Sequence, residues 1–147
     1  MINLTRKQRY GVAVMLDIAL HQSQGAVSTL SIAKRQALSA SYIEQIIISL
    51  RRAGLVHSTR GPGGGYQICR DLEDITVLSI IRALESEPTD IILTPTKNKI
   101  QQLWTDLKIQ TTEFLGTITL HMIIQSSNKE HSLPKKEKSA ALCRDAA

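Results

Sequence analysis

Acidic side chains are scarce in the front half of this 147-residue chain. Residues 1–70 hold two, Asp17 and Glu44, against nine basic groups: Arg6, Lys7, Arg9, Lys34, Arg35, Arg51, Arg52, Arg60 and Arg70. Residues 71–147 carry eleven acids and nine bases, so the positive charge is concentrated at one end. A half so short of negative charge suits a polyanionic partner, and nucleic acid is the commonest of these. Cysteine is nearly missing: Cys69 and Cys143 are far apart and make neither a disulfide framework nor a zinc knuckle. Long apolar runs are missing too. The most apolar stretch, Tyr10 to Leu20, is interrupted by Gly11 and Asp17 and falls well short of the roughly 20 residues a bilayer requires. It is not followed by the small-residue cleavage site of an export signal. A soluble, cytoplasmic protein without a membrane segment is expected. Catalytic groupings are also wanting. The four histidines, His21, His57, His121 and His131, have no ligand spacing and are expected at or near the surface. No nucleophile, base and orienting group stand together, which argues against an enzyme.

The residues that are present outline a mainly α fold with a small β-hairpin. Thr5-Arg6-Lys7-Gln8 has capping-box spacing and opens a helix to about His21, apolar almost all round. A helix of that kind is covered on several sides, by its own domain and by a partner subunit. A second helix runs from Ser28 or Thr29 to Gln36, carrying Leu30, Ile32 and Ala33. After Ala37-Leu38-Ser39 a third extends from Ala40 to Arg52, which together make a helix-turn-helix outline. Ile43, Ile46, Ile47 and Leu50 fall on one face of the third helix, with Ser41, Gln45, Ile48 and Arg52 opposite. Gly54 ends it. Leu55–Thr59 and Tyr66–Arg70 are β-prone runs joined by Arg60-Gly61-Pro62-Gly63-Gly64-Gly65, whose Pro-Gly pair fits a type II turn.

Thr76 caps a fourth helix to about Glu85, with Val77, Ile80, Ile81 and Leu84 inward. Residues 86–97 read as a loop. A longer helix follows from about Asn98 to Leu115. Ile100, Trp104, Leu107, Thr111, Phe114 and Ile118 are spaced alternately four and three apart, the heptad seam of a helix that pairs with another. The seam is too short and too polar at Thr111 to stand alone, so docking against a two-fold copy is expected. Thr119–Ile124 predicts a short last helix, and residues 125–147 have the composition of a disordered tail.

Chemistry concentrates in the basic half. A helix fits the DNA major groove, where Ser, Gln, Glu and Arg side chains reach base edges. A thin hairpin bearing Arg60 can approach the minor groove or the phosphates, and glycines let its backbone come close. The same run is no phosphate-binding loop of a nucleotidase, because no Gly-Lys-Ser/Thr and no helix follow it.

Several segments also resemble the IscR-type family of bacterial winged-helix transcription regulators, the Rrf two family. They are Leu4-Thr5-Arg6-Lys7-Gln8-Arg9-Tyr10, Met15-Leu16-Asp17-Ile18-Ala19-Leu20, Ser41-Tyr42-Ile43-Glu44-Gln45 and, above all, Arg60-Gly61-Pro62-Gly63-Gly64-Gly65-Tyr66. Ile75-Thr76-Val77, Leu103-Trp104, Asp106-Leu107 and Ile118-Thr119-Leu120 continue the likeness, which spans about residues 2–124. The resemblance implies a cytoplasmic homodimer that binds double-stranded promoter DNA as repressor or activator. Carried over by position, the DNA-facing residues are Ser39, Ser41, Tyr42, Glu44 and Gln45, with Arg60 and Gly61 on the wing. Thr5, Arg9, Arg51 and Arg52 are expected as phosphate or structural contacts.

Family members commonly sense through an iron–sulfur cluster held by three cysteines ahead of the long helix, with a further ligand near that helix's start. Residues 86–102 here, SEPTDIILTPTKNKIQQ, contain neither cysteine nor histidine. No cofactor is therefore expected, Cys69 reads as a small buried hydrophobe, and an unknown small-molecule effector is compatible with the pattern. The resulting architecture is a winged helix-turn-helix at 1–85, a loop at 86–97, dimerisation helices at 98–124 and the tail. Rival readings are a metal or cluster sensor with non-standard ligands, and a winged helix used only for protein interaction.

Overall fold

The first helix starts where its capping box places it. Thr5 Oγ1 accepts the Gln8 amide at 3.2 Å and Gln8 Oε1 accepts the Thr5 amide at 2.8 Å. The computed structural model describes residues 4–85 and 98–130. In chain order these form α1 (Arg6–His21), a 3-10 turn (Gln22–Gln24), α2 (Thr29–Gln36), α3 (Ala40–Arg52), β1 (Val56–Thr59), β2 (Gly65–Ile68), α4 (Val77–Ala83), α5 (Lys99–Thr117) and α6 (Leu120–Glu130). Side-chain caps repeat along the chain. Ser28 accepts from the Ser31 amide at 3.2 Å, Ser39 from Tyr42 at 3.2 Å and Thr76 from Ser79 at 3.1 Å, each satisfying an amide the helix leaves unpaired.

β1 and β2 pair antiparallel with Val56 opposite Ile68 and Thr59 opposite Gly65. Val27, just ahead of α2, adds a bridge to Tyr66 through amide–carbonyl bonds of 2.9 and 2.8 Å, so the hairpin is pinned to the helix-turn-helix. At the tip Gly63 has φ +77° and the Gly64 amide donates to Gly61 O at 2.9 Å, the bond and the left-handed third residue of a type II turn. Gly65 serves a different purpose: a Cβ there would overlap the Val27 carbonyl.

The core lies where α1, α2, α3 and α4 converge. Val14, Met15, Ile18, Ile32, Ile43, Ile46, Leu50, Ile75, Ile80 and Leu120 are fully buried in it. Leu120 belongs to α6, so the last helix is anchored in the same core as the helix-turn-helix. Backbone bonds complete that junction. Val77 N donates to Ile118 O at 2.8 Å, Leu120 N to Ile75 O at 2.9 Å and His121 N to Leu72 O at 3.2 Å.

Three expectations are corrected. Ile118 is not part of the helical seam: α5 ends at Thr117, and Ile118 is extended because its carbonyl is taken by Val77. The last helix does not stop at Ile124, and residues 125–130, read as tail, continue it. Cys69 is exposed rather than buried, because it lies just past the end of β2. The loop at 86–97 and the tail from 131 lie outside the described residues.

Candidate nucleic-acid interface

The turn between α2 and α3 is tight. Ala37 takes a left-handed conformation (φ 53°), and Leu38 N reaches back to Ala33 O at 3.0 Å. Ser39 then caps α3, so its hydroxyl is committed to the helix start while the residue remains exposed. Burial of Ile43, Ile46, Ile47 and Leu50 turns the opposite face outward. Ser41, Glu44, Gln45, Ile48, Arg51 and Arg52 are all exposed. Tyr42 is half-buried and meets Tyr10 of α1 edge-to-face, with ring centroids 6.0 Å apart. Its ring thus braces α3 against α1. Lys7 Nζ adds a second brace, donating to Ser49 Oγ at 3.4 Å.

The cations predicted near this face are placed by different elements. Arg51 and Arg52 occupy the last turn of α3, where a positive charge also suits the helix dipole. Arg9 lies in the first turns of α1 and is exposed, with Nε 3.4 Å from Leu4 O. Thr5 is occupied as the α1 cap and is structural in this arrangement. Arg60 and Gly61 stand exposed immediately after β1, at the start of the wing turn. Gly61 has φ +104° and open space around its Cα. Gly64 and Gly65 are also needed internally, because a Cβ at either would run into the hairpin's own backbone or Val27.

One residue outside the predicted set fixes the geometry. Asp17 is buried on α1 and accepts from Arg35 Nε at 3.0 Å, Arg35 Nη2 at 2.6 Å and Gln36 Nε2 at 3.0 Å. Burial pushes its carboxyl up. The hydrogen bonds from Arg35 and Gln36, with the Arg35 charge, outweigh that and hold it below the usual carboxylate range. The same bond raises the Arg35 guanidinium. The network ties the C-terminal turn of α2 to α1 just before the turn into α3. The sequence signal was an acid beside Ile18, on a face that otherwise buries Val14 and Met15.

Of the residues expected at a dimer seam, all but Ile118 lie on α5. Ile100, Leu103, Trp104, Leu107 and Phe114 are exposed, Trp104 at 55% and Phe114 at 62%, and Thr111 is half-buried. A row of large apolar side chains this open to water has an unmet burial term on a single protomer. Elsewhere Cys69 Sγ and His57 Nδ1 are 3.4 Å apart on the wing's outer side. Among the described residues no three His, Cys, Asp or Glu side chains gather as a metal-ligand set. No described helix is long and apolar enough to cross a membrane.

Known proteins repeat this arrangement. A family profile described as "Rrf2: Iron-dependent Transcriptional regulator" matches residues 4–126. The HTH-type transcriptional regulator IscR of Xenorhabdus nematophila is 41% identical over 133 residues, 85% of this chain and 80% of that protein. IscR of Photobacterium profundum is 42% identical over 135 residues, 86% and 78% of the two chains. Among solved structures, T. potens IscR superposes with a TM-score of 0.77 at 39% identity, covering 90% of this chain and 93% of the other. CymR (YrzC), the global cysteine regulator of B. subtilis, gives 0.77 at 34% identity, covering 86% and 98%. The helix-turn-helix, the glycine-tipped wing and the long carboxy-terminal helix are therefore one inherited arrangement, and the chain belongs to the Rrf2 family, as a transcriptional regulator and not an enzyme.

Proposed function

We propose that two copies of this protein pair through α5 and bind double-stranded promoter DNA in the bacterial cytoplasm. The observation that carries the reading is the outward face of α3, exposed over two turns and polar apart from Ile48, flanked by Arg51 and Arg52 and accompanied by a wing bearing Arg60. Ser41, Glu44 and Gln45 offer donors and acceptors to base edges in the major groove, Glu44 as an acceptor for cytosine or adenine amino groups. Ser39 and Tyr42 set the start and roll of the helix; Arg9, Arg51 and Arg52 are placed for phosphates. Arg60 and Gly61 suit a minor-groove or backbone contact by the wing. With a two-fold axis between the α5 helices, the recognition helices enter half-sites about one helical turn, roughly 34–36 Å, apart.

We further propose that the regulator works without an iron–sulfur cluster. Such clusters are held by sets of thiolates, and this chain has two cysteines, of which Cys69 lies just past the second strand of the wing. The donor set does not fit the group, and no step of the mechanism runs through it. A small-molecule effector would act by binding two arrangements of the heads unequally. Genome-wide mapping of bound DNA, followed by affinity measurements on recovered fragments across a salt series, tests the central reading. A steep fall of affinity with salt is expected; indifference to every fragment at low ionic strength would overturn it. Iron analysis and absorption spectra of protein purified without oxygen test the cluster-free state, with absence of charge-transfer bands expected.

A further inference from the structure

One side chain on the outward face of α3 has no partner in the reading above. Ile48 is 41% exposed although the core side of the same helix is filled by Ile43, Ile46, Ile47 and Leu50. Ser41, Glu44, Gln45 and Ile48 stand at i, i+3, i+4 and i+7, so they form one stripe two turns long. The first three can hydrogen-bond with base edges; Ile48 cannot. A β-branched residue gains nothing from an exposed helix position, where its propensity is below that of lysine, glutamate or glutamine. Its place is also defined: Glu44 and Gln45 precede it by one turn, and the arginines suited to phosphates follow it at Arg51 and Arg52. The major-groove edge of ordinary DNA carries one alkyl group that an aliphatic side chain in that row can cover, the C5-methyl of thymine.

We propose that Ile48 is a specificity residue that selects a thymine in each half-site through that methyl group, at a base pair adjoining those within reach of Glu44 and Gln45. The assignment rests on α3 being the recognition helix. Covering one methyl group corresponds to about a fourfold gain per half-site, or about fifteenfold for a symmetric operator.

The test uses the full chain and an operator recovered from its bound genomic DNA. Each thymine of the half-site is replaced symmetrically by deoxyuridine, which keeps pairing and hydrogen bonding and deletes only the methyl. The wild-type protein is expected to lose about fifteenfold at one position and little at the others. Ile48→Ser should bind the unmodified operator with the same loss and show no further loss at that position, while Ile48→Val keeps most of the affinity. A wild-type protein that binds its operator yet is indifferent to every deoxyuridine would overturn this assignment alone. So would Ile48→Ser retaining the full methyl dependence, because another residue would then read it. Failure to bind any duplex would remove the assignment together with the reading beneath it.

Discussion

Asp17 sits on the buried face of α1 among Val14, Met15 and Ile18, and it is tolerated there because three donor nitrogens of Arg35 and Gln36 replace its water. Asp17→Asn keeps the shape and removes the charge, and should lower stability by about 1.5–3 kcal/mol at neutral pH in urea titrations. Because Arg35 and Gln36 hold the folded carboxyl below its unfolded range, its contribution is full above about pH 4 and drains away as pH falls through the folded value. The gap between wild type and Asp17→Asn should therefore close in strongly acid solution; a gap constant down to pH 2 would remove the charge from the account. At the interface, Arg60→Ala should weaken operator binding by ~1–3 kcal/mol if the arginine reads a base, measured by fluorescence anisotropy. Unchanged affinity would take the wing tip out of the contact. Single residues were legible in the sequence where their partners are near: Thr5 with Gln8, and Thr76 at the start of α4. Asp17 was marked only by its place beside Ile18, since Arg35 is eighteen residues on and nothing local names the partner. Cys69 failed for a similar reason, its burial depending on where β2 stops.

Among the elements, the wing shows how a short hairpin becomes rigid. Two four-residue strands alone are marginal, but Val27 adds a third partner to Tyr66, and Gln22 Oε1 accepts the Ile68 amide at 2.9 Å. Gly65 allows the close approach to Val27 on which this depends. Gly65→Ala should thus cost about 1–3 kcal/mol of stability through overpacking and reduce operator affinity as the wing leaves its place. Full retention of both would show that the strand can shift freely. The periodicities of α3 and α4 gave their inward faces correctly, because those faces are buried within one protomer. Ile118 was misplaced in the seam for the opposite reason. Ile118 continues the seven-residue pattern perfectly well, yet a tertiary hydrogen bond from Val77 claims its carbonyl and breaks the helix first. Continuation of α6 to Glu130 was hidden by a polar composition that does not distinguish an exposed helix from coil.

For the molecule as a whole, association and charge are the two properties to measure. Leu107→Glu places a carboxylate in the proposed seam and should weaken self-association by roughly two orders of magnitude in sedimentation equilibrium, with DNA affinity falling in step. A dimer of undiminished strength would put the interface elsewhere. Arg52→Ala should lower affinity about equally on all sequences and reduce the slope of log K against log salt by about one; a sequence-dependent loss would instead place Arg52 over a base.

The bonds that clasp Ile118, Leu120 and His121 to Ile75, Leu72 and Val77 carry a mechanical meaning. They weld rod to head, so a protomer has no free wrist at that point, and in the proposed dimer a change in the tilt of one rod against the other would be passed on to the tips meant for the groove. A stimulus pressing on the crossing alone would thereby retune the reach of both hands at once.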